Sequence, residues 1–127
     1  MITVKINGKL YNLLFNASAM MAIRDKFETD NIVELIREDN ALGFQRACKI
    51  AVILAEQGEL LRRYMGHEQQ GILTEDELRI SLSPIGILEL KNALADAQYD
   101  GYKREKKSED DEVDLGLAEL NKKKITG

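Results

Sequence analysis

The side chains able to do chemistry are few and scattered. His67 is the single histidine and sits in the polar run His67-Glu68-Gln69-Gln70, with no nucleophile motif beside it, so it reads as a surface residue and not as a general base. With Glu68 it offers too few ligands for a metal, and neither HExxH nor a second histidine completes a site. Cys48 is the single cysteine and falls on an apolar helical stripe, where a thiol behaves as a small hydrophobe with a raised pKa. Lacking a partner cysteine, the chain has no internal disulfide and no thiolate cluster for zinc, which fits a reducing compartment. The acids Glu75, Asp76 and Glu77 are dense enough for acid–base work, but they stand at a helix start, where the backbone dipole attracts acids. GxGxxG, Walker and RNA-binding aromatic motifs are all missing from the sequence. These residues predict no catalysis, no cofactor and no metal.

The basic clusters Arg62-Arg63 and Lys103-Arg104 with Lys106-Lys107 read as solvated faces, the second being followed at once by Glu109-Asp110-Asp111-Glu112. A formal net charge of −4 and an isoelectric point of about 5.1 make the whole molecule repel phosphates, so the expectation is no nucleic acid partner. The chain has 127 residues, enough for one hydrophobic core; 44% of them are apolar and 31% charged, a globular composition. The apolar run Ile50-Ala51-Val52-Ile53-Leu54-Ala55 is far below the roughly 18 to 20 residues that cross a bilayer. The residues after Met1 lack the pattern of a secretion signal, so neither export nor membrane insertion is expected.

The elements that must position these groups follow from periodicity. Ile2-Thr3-Val4-Lys5-Ile6 alternates apolar with polar, and Leu10-Tyr11-Asn12-Leu13-Leu14-Phe15 is rich in strand formers. Asn7-Gly8-Lys9 between them supplies the positive φ angles of a tight hairpin turn. A lone hairpin is marginal in water, so Ile2, Val4, Ile6, Tyr11, Leu13 and Phe15 must pack on the helical segments C-terminal to them. Asn16 or Ser18 caps a first helix carrying Met20, Ile23 and Phe27 on one side. Asp30 or Asn31 starts a short second one with Ile32, Val33, Leu35 and Ile36. Over 42–57 the residues Phe44, Ala47, Cys48, Ala51, Val52, Leu54 and Ala55 mark the most buried helix. Gly58 ends or kinks it before Leu60, Leu61, Tyr64 and Met65 add a further turn or two, and 66–71 is a loop. Thr74 and Glu77 have capping-box spacing, and Ser83-Pro84 opens a last helix with Ile87, Leu88, Leu90, Leu94 and Ala97, expected to reach about Tyr102.

The fold class is therefore α+β, mostly α: an N-terminal β-hairpin packed on a small bundle of about five helices, with a flexible C-terminal tail. Residues 1–102 form the hairpin-plus-helices domain. Residues 103–127 form a charged linker, or fraying helix end, and a short amphipathic tail. In that tail Val113, Leu115, Leu117 and Leu120 either dock back on the domain or serve as a helix-in-groove ligand for a partner, the second being the expected role.

The hairpin over residues 2–15, the helix with Ala51-Val52-Ile53-Leu54-Ala55-Glu56-Gln57-Gly58, the start Leu73-Thr74-Glu75-Asp76-Glu77-Leu78 and Leu82-Ser83-Pro84 resemble a phage tail assembly chaperone of the siphophage or prophage type of Gram-positive bacteria. The tail Val113-Asp114-Leu115-Gly116-Leu117-Ala118-Glu119-Leu120 before Lys122-Lys123-Lys124 is similar too. The resemblance implies a non-enzymatic protein of the host bacterial cytoplasm, absent from the mature virion. It binds the tape-measure protein, keeps it soluble and recruits tail-tube subunits, with self-association also expected. It further implies a ribosomal frameshift near the C-terminus, for which the lysine codons 122–124 are the expected slip site. The alternative from another class is a small transcriptional regulator whose helices over 74–82 and 83–102 mimic a helix-turn-helix, although Arg79 and Lys91 stand isolated among acids.

Overall fold

In the computed structural model of the protein, residues 1–120 are described, with side chains for residues 1–103. The described residues form two strands, four full helices and one single-turn helix, in the order β1 (Ile2–Ile6), β2 (Lys9–Leu13), α1 (Ala17–Phe27), α2 (Ile32–Leu35), α3 (Ala41–Tyr64), α4 (Glu75–Ser81) and α5 (Pro84–Leu120). The mostly helical α+β class expected from periodicity is the class observed.

The strands pair antiparallel with Ile6 opposite Lys9 and Ile2 opposite Leu13, leaving Asn7 and Gly8 as the turn. Both have positive φ, 54° and 78°, the mirror-image turn whose twist matches that of the strands. Ile6, Tyr11 and Leu13 are buried, Ile2 and Val4 are partly so, and Thr3, Lys5 and Leu10 face solvent. The apolar side of the hairpin thus lies on the helices.

Asparagines start three helices. Asn16, Asn31 and Asn40 each accept the amide of the third following residue, Ala19, Glu34 and Gly43, at 2.9, 3.2 and 3.1 Å. Each satisfies a backbone donor that the helix itself cannot. Thr74 and Ser83 do the same for Glu77 and Gly86. The capping box at Thr74 is only half made, because the Glu77 carboxylate accepts from the Tyr11 hydroxyl at 3.1 Å. One acid therefore ties α4 to the hairpin.

Helix α3 is central and contacts β2, α1, α2, α4 and α5. Ala47, Cys48, Ile50, Ala51, Leu54 and Ala55 are buried along it. It runs on through Gly58 to Tyr64, so the glycine does not end it. A Cβ at Gly58 would overlap the Asn12 carbonyl, so the glycine serves close approach of α3 to β2. Beside it the Leu14 amide donates to the Leu54 carbonyl at 3.1 Å.

Two residues placed on apolar stripes face outward: Val33 is 51% exposed and Leu88 is 47% exposed. On α5 the buried stripe is Ile87, Leu90, Leu94 and Ala97, and Leu88 is turned about 100° from Ile87. The backbone of α5 stays helical to Leu120, beyond the end expected at Tyr102. After Gly101 no glycine interrupts it before Gly116, and Lys, Arg and Glu are good helix formers.

Candidate protein-interaction site

The tail residues expected to bind a partner, Val113, Leu115, Leu117 and Leu120, lie on α5 but outside the residues whose side chains are described. The remaining candidates do not converge. His67 is exposed on the 66–71 loop, whereas Cys48 is buried on α3. Burial pushes the Cys48 thiol above its ordinary value, outweighing the lowering effect of the nearby Arg79. Among the described residues no three His, Cys, Asp or Glu side chains are grouped as a metal site would require. Nor is any described helix long and apolar enough to cross a membrane.

The acids at the start of α4 are committed to internal contacts. Glu75 accepts from Lys49 at 3.3 Å and from Arg79 at 2.9 Å, and Arg79 also lies 3.7 Å from Asp76. Lys91, the other cation of the helix-turn-helix alternative, is buried. Its Nζ donates to the Glu38 carbonyl at 2.7 Å, lies 3.5 Å from Asp39 and sits 5.2 Å from the Phe44 ring centre.

Arg62 and Arg63 are not a solvated face, which corrects the expectation from charge alone. Both clasp the buried carboxylate of Glu59, at 2.9 Å each. They also donate to the Glu68 and Gln70 carbonyls at 3.1 Å, and the Gln70 amide donates to Glu59 at 2.6 Å. Burial pushes the Glu59 carboxyl up, but the Gln70 amide and then Arg63 and Arg62 outweigh it and hold the group below the ordinary glutamate value. The loop is fastened to α3 by this cluster.

Gln98 is a third buried polar group that periodicity overlooks. Its amide donates to the Asp30 carbonyl at 2.7 Å and accepts from the Ile32 amide at 3.1 Å, bracing the entry to α2 against α5. Lys91 and Gln98 stand at stripe positions, in the series Ile87, Lys91, Leu94, Gln98. A polar residue recurring at that spacing is the signal that could have revealed them.

The arrangement best suited to a partner is an apolar groove of about 470 Å³ where α3, α4 and α5 meet. Ala41, Phe44 and Cys48 form one wall, Leu78 and Leu82 the floor of α4 and its end, and Ile87 the wall of α5. Ile85, 70% exposed, and Leu88 are apolar residues on the first turns of α5 that lie outside this lining. Such a cleft can receive apolar side chains at helical spacing, and Gln45, Arg79 and Ser83 are the polar residues of its lining. Set against known proteins, the chain matches no family model, no curated protein and no solved structure.

Proposed function

We propose that the protein is a phage tail assembly chaperone, a binding protein without catalytic activity that keeps a tape-measure protein soluble and recruits tail-tube subunits to it. It acts in the host bacterial cytoplasm and is left out of the finished virion. The observation that carries this reading is the apolar groove between α3, α4 and α5, which suits the apolar stripe of a long partner helix. The resemblance of the hairpin, the α3 segment and the Thr74 and Ser83-Pro84 helix starts to such chaperones supports it. The tail leucines, with Val113, are the proposed contact for the second partner.

Magnitudes decide how the groove works. Full burial of an aliphatic side chain contributes roughly 1.5 to 3 kcal/mol, so three of them supply about 5 to 9 kcal/mol. Association itself costs about 4 to 15 kcal/mol, which leaves one groove a weak binder. Several copies along one extended partner convert weak sites into lasting coverage through avidity.

Co-expression with an apolar, helical tape-measure fragment tests this. The wild-type chain is expected to keep the fragment in the soluble fraction. Ala41→Glu places a charge in the groove at an exposed first-turn position, where an acid suits the helix dipole and folding is preserved. That variant is expected to lose the fragment to the pellet. Equal solubilisation by both proteins removes the groove from the proposal, and failure of the wild type removes the chaperone assignment.

A further inference from the structure

The two edges of the hairpin differ. In a hairpin closed by a two-residue turn, the residues flanking the turn exchange both hydrogen bonds, and every second pair does the same. Ile6–Lys9, Val4–Tyr11 and Ile2–Leu13 are therefore the bonded pairs, and the backbone groups of Thr3, Lys5, Leu10 and Asn12 point away from the ladder. On β2 this outward edge is covered: the Asn12 carbonyl lies against Gly58, and the Leu14 amide, next in the same alternation, bonds to Leu54. On β1 it is open. Among the described residues no hydrogen bond to the Thr3 or Lys5 backbone crosses that edge.

Beside the open edge runs a groove of about 270 Å³ between β1 and α5. Val4 and Ile6 line it from the strand, Gly86, Leu90 and Ala93 from the helix, and Leu82 from the end of α4, with no residue of β2. Its charges, Lys5 and Glu89, are opposite in sign. Ile2 and Val4 remain half-buried, so the apolar side of the strand is only partly covered.

We infer that β1 is a self-pairing edge, on which β1 of a second copy adds antiparallel about a two-fold axis at Val4 to make a four-stranded sheet across the dimer. Unpaired amides and carbonyls at alternate positions of an extended strand select another extended strand. The edge is self-complementary. With Val4 opposite Val4 of the second copy, Thr3 of each faces Lys5 of the other, so all four outward amides find carbonyls. Registers pairing Lys5 with Lys5 put like charges face to face, and pairing Thr3 with Thr3 sets each Lys5 opposite Met1, which lies before the strand. In the central register the apolar side of each strand continues that of the other toward the groove. The pairing is isologous and closed, so it stops at two chains and does not run on into a fibre.

Sedimentation of the full chain over a concentration series is the test. The wild type is expected to move from one to two chain masses as concentration rises, with the Thr3 and Lys5 amides exchanging with solvent more slowly in the dimer. Thr3→Pro removes an outward amide and leaves the β1–β2 ladder intact, as proline on an edge does. The dimer then loses two hydrogen bonds, one per copy, and association weakens about 30-fold. A wild-type chain that stays monomeric with fast exchange at Thr3 and Lys5 overturns the inference. So does a folded Thr3→Pro protein that dimerises as before, since the contact then lies elsewhere. If Thr3→Pro does not fold, the concentration dependence of wild-type exchange still decides. Solubilisation by the α3–α4–α5 groove is a separate readout, so either proposal can fail without the other.

Discussion

Glu59 shows what a single carboxylate contributes when the structure closes on it. Its two oxygens take both neighbouring arginines and the Gln70 amide, so removing the charge leaves these donors without an ionic acceptor. Glu59→Gln is expected to destabilise the fold by about 1 to 3 kcal/mol in urea unfolding, and to raise amide exchange across residues 66–71 first. The same group sets a pH dependence. Its folded value lies below that of the unfolded chain, so its stabilisation is complete above the ordinary glutamate range and disappears as pH falls through the depressed value. Acid titration of the wild type should therefore lose a stability increment that Glu59→Gln lacks. Cys48 behaves oppositely. Burial keeps its thiol protonated, so labelling by a thiol reagent at neutral pH should be slow in the native protein and fast in denaturant.

Among the elements, α3 organises the domain and depends on how near β2 can come. Alanine is normally favoured over glycine inside a helix by about 1 kcal/mol. At Gly58 the added methyl group would meet a backbone carbonyl, which cannot rotate aside as a side chain can. Overpacking costs of about 1 to 3 kcal/mol then exceed the propensity gain, and against a rigid neighbour the upper part of that range applies. Gly58→Ala is expected to destabilise by roughly 1 to 2 kcal/mol, read as a lowered denaturation midpoint with an unchanged slope. Glu56→Ala, on the exposed side of the same helix, should be near neutral. A stabilised Gly58→Ala protein would mean that α3 and β2 are not in contact there.

For the molecule as a whole, the buried apolar core among the described residues runs from Ile6 to Ala97. Removing residues 104–127 is accordingly expected to shift the thermal midpoint by less than about 3 °C, the equivalent of roughly 0.5 kcal/mol for a domain of this size. The shortened chain should still hold a tape-measure fragment in solution through the groove while losing the tail-tube contact. A large fall in the midpoint would instead place the tail leucines on the domain itself, the docked alternative that composition leaves open.

What the sequence determined by itself is local. The Asn7-Gly8 turn, the caps at Asn16, Asn31, Thr74 and Ser83 and the buried stripe of α3 arise from hydrogen bonds and periodicities within a few residues, and each is where the sequence places it. Tertiary structure alone decided the matters that join distant segments. Gly58 looks like a helix terminator until β2 is set against it, Arg62-Arg63 looks like a solvated pair until the 66–71 loop returns to Glu59, and Gln98 finds its hydrogen-bond partners only when Asp30 and Ile32 arrive. The groove is of the same kind, since its walls come from three helices whose apolar residues are indistinguishable in sequence from core. The physical reason is that desolvation belongs to a contact and not to a residue. A polar group is buried only where its hydrogen-bond partners are brought to it, and an apolar one left open only where nothing is.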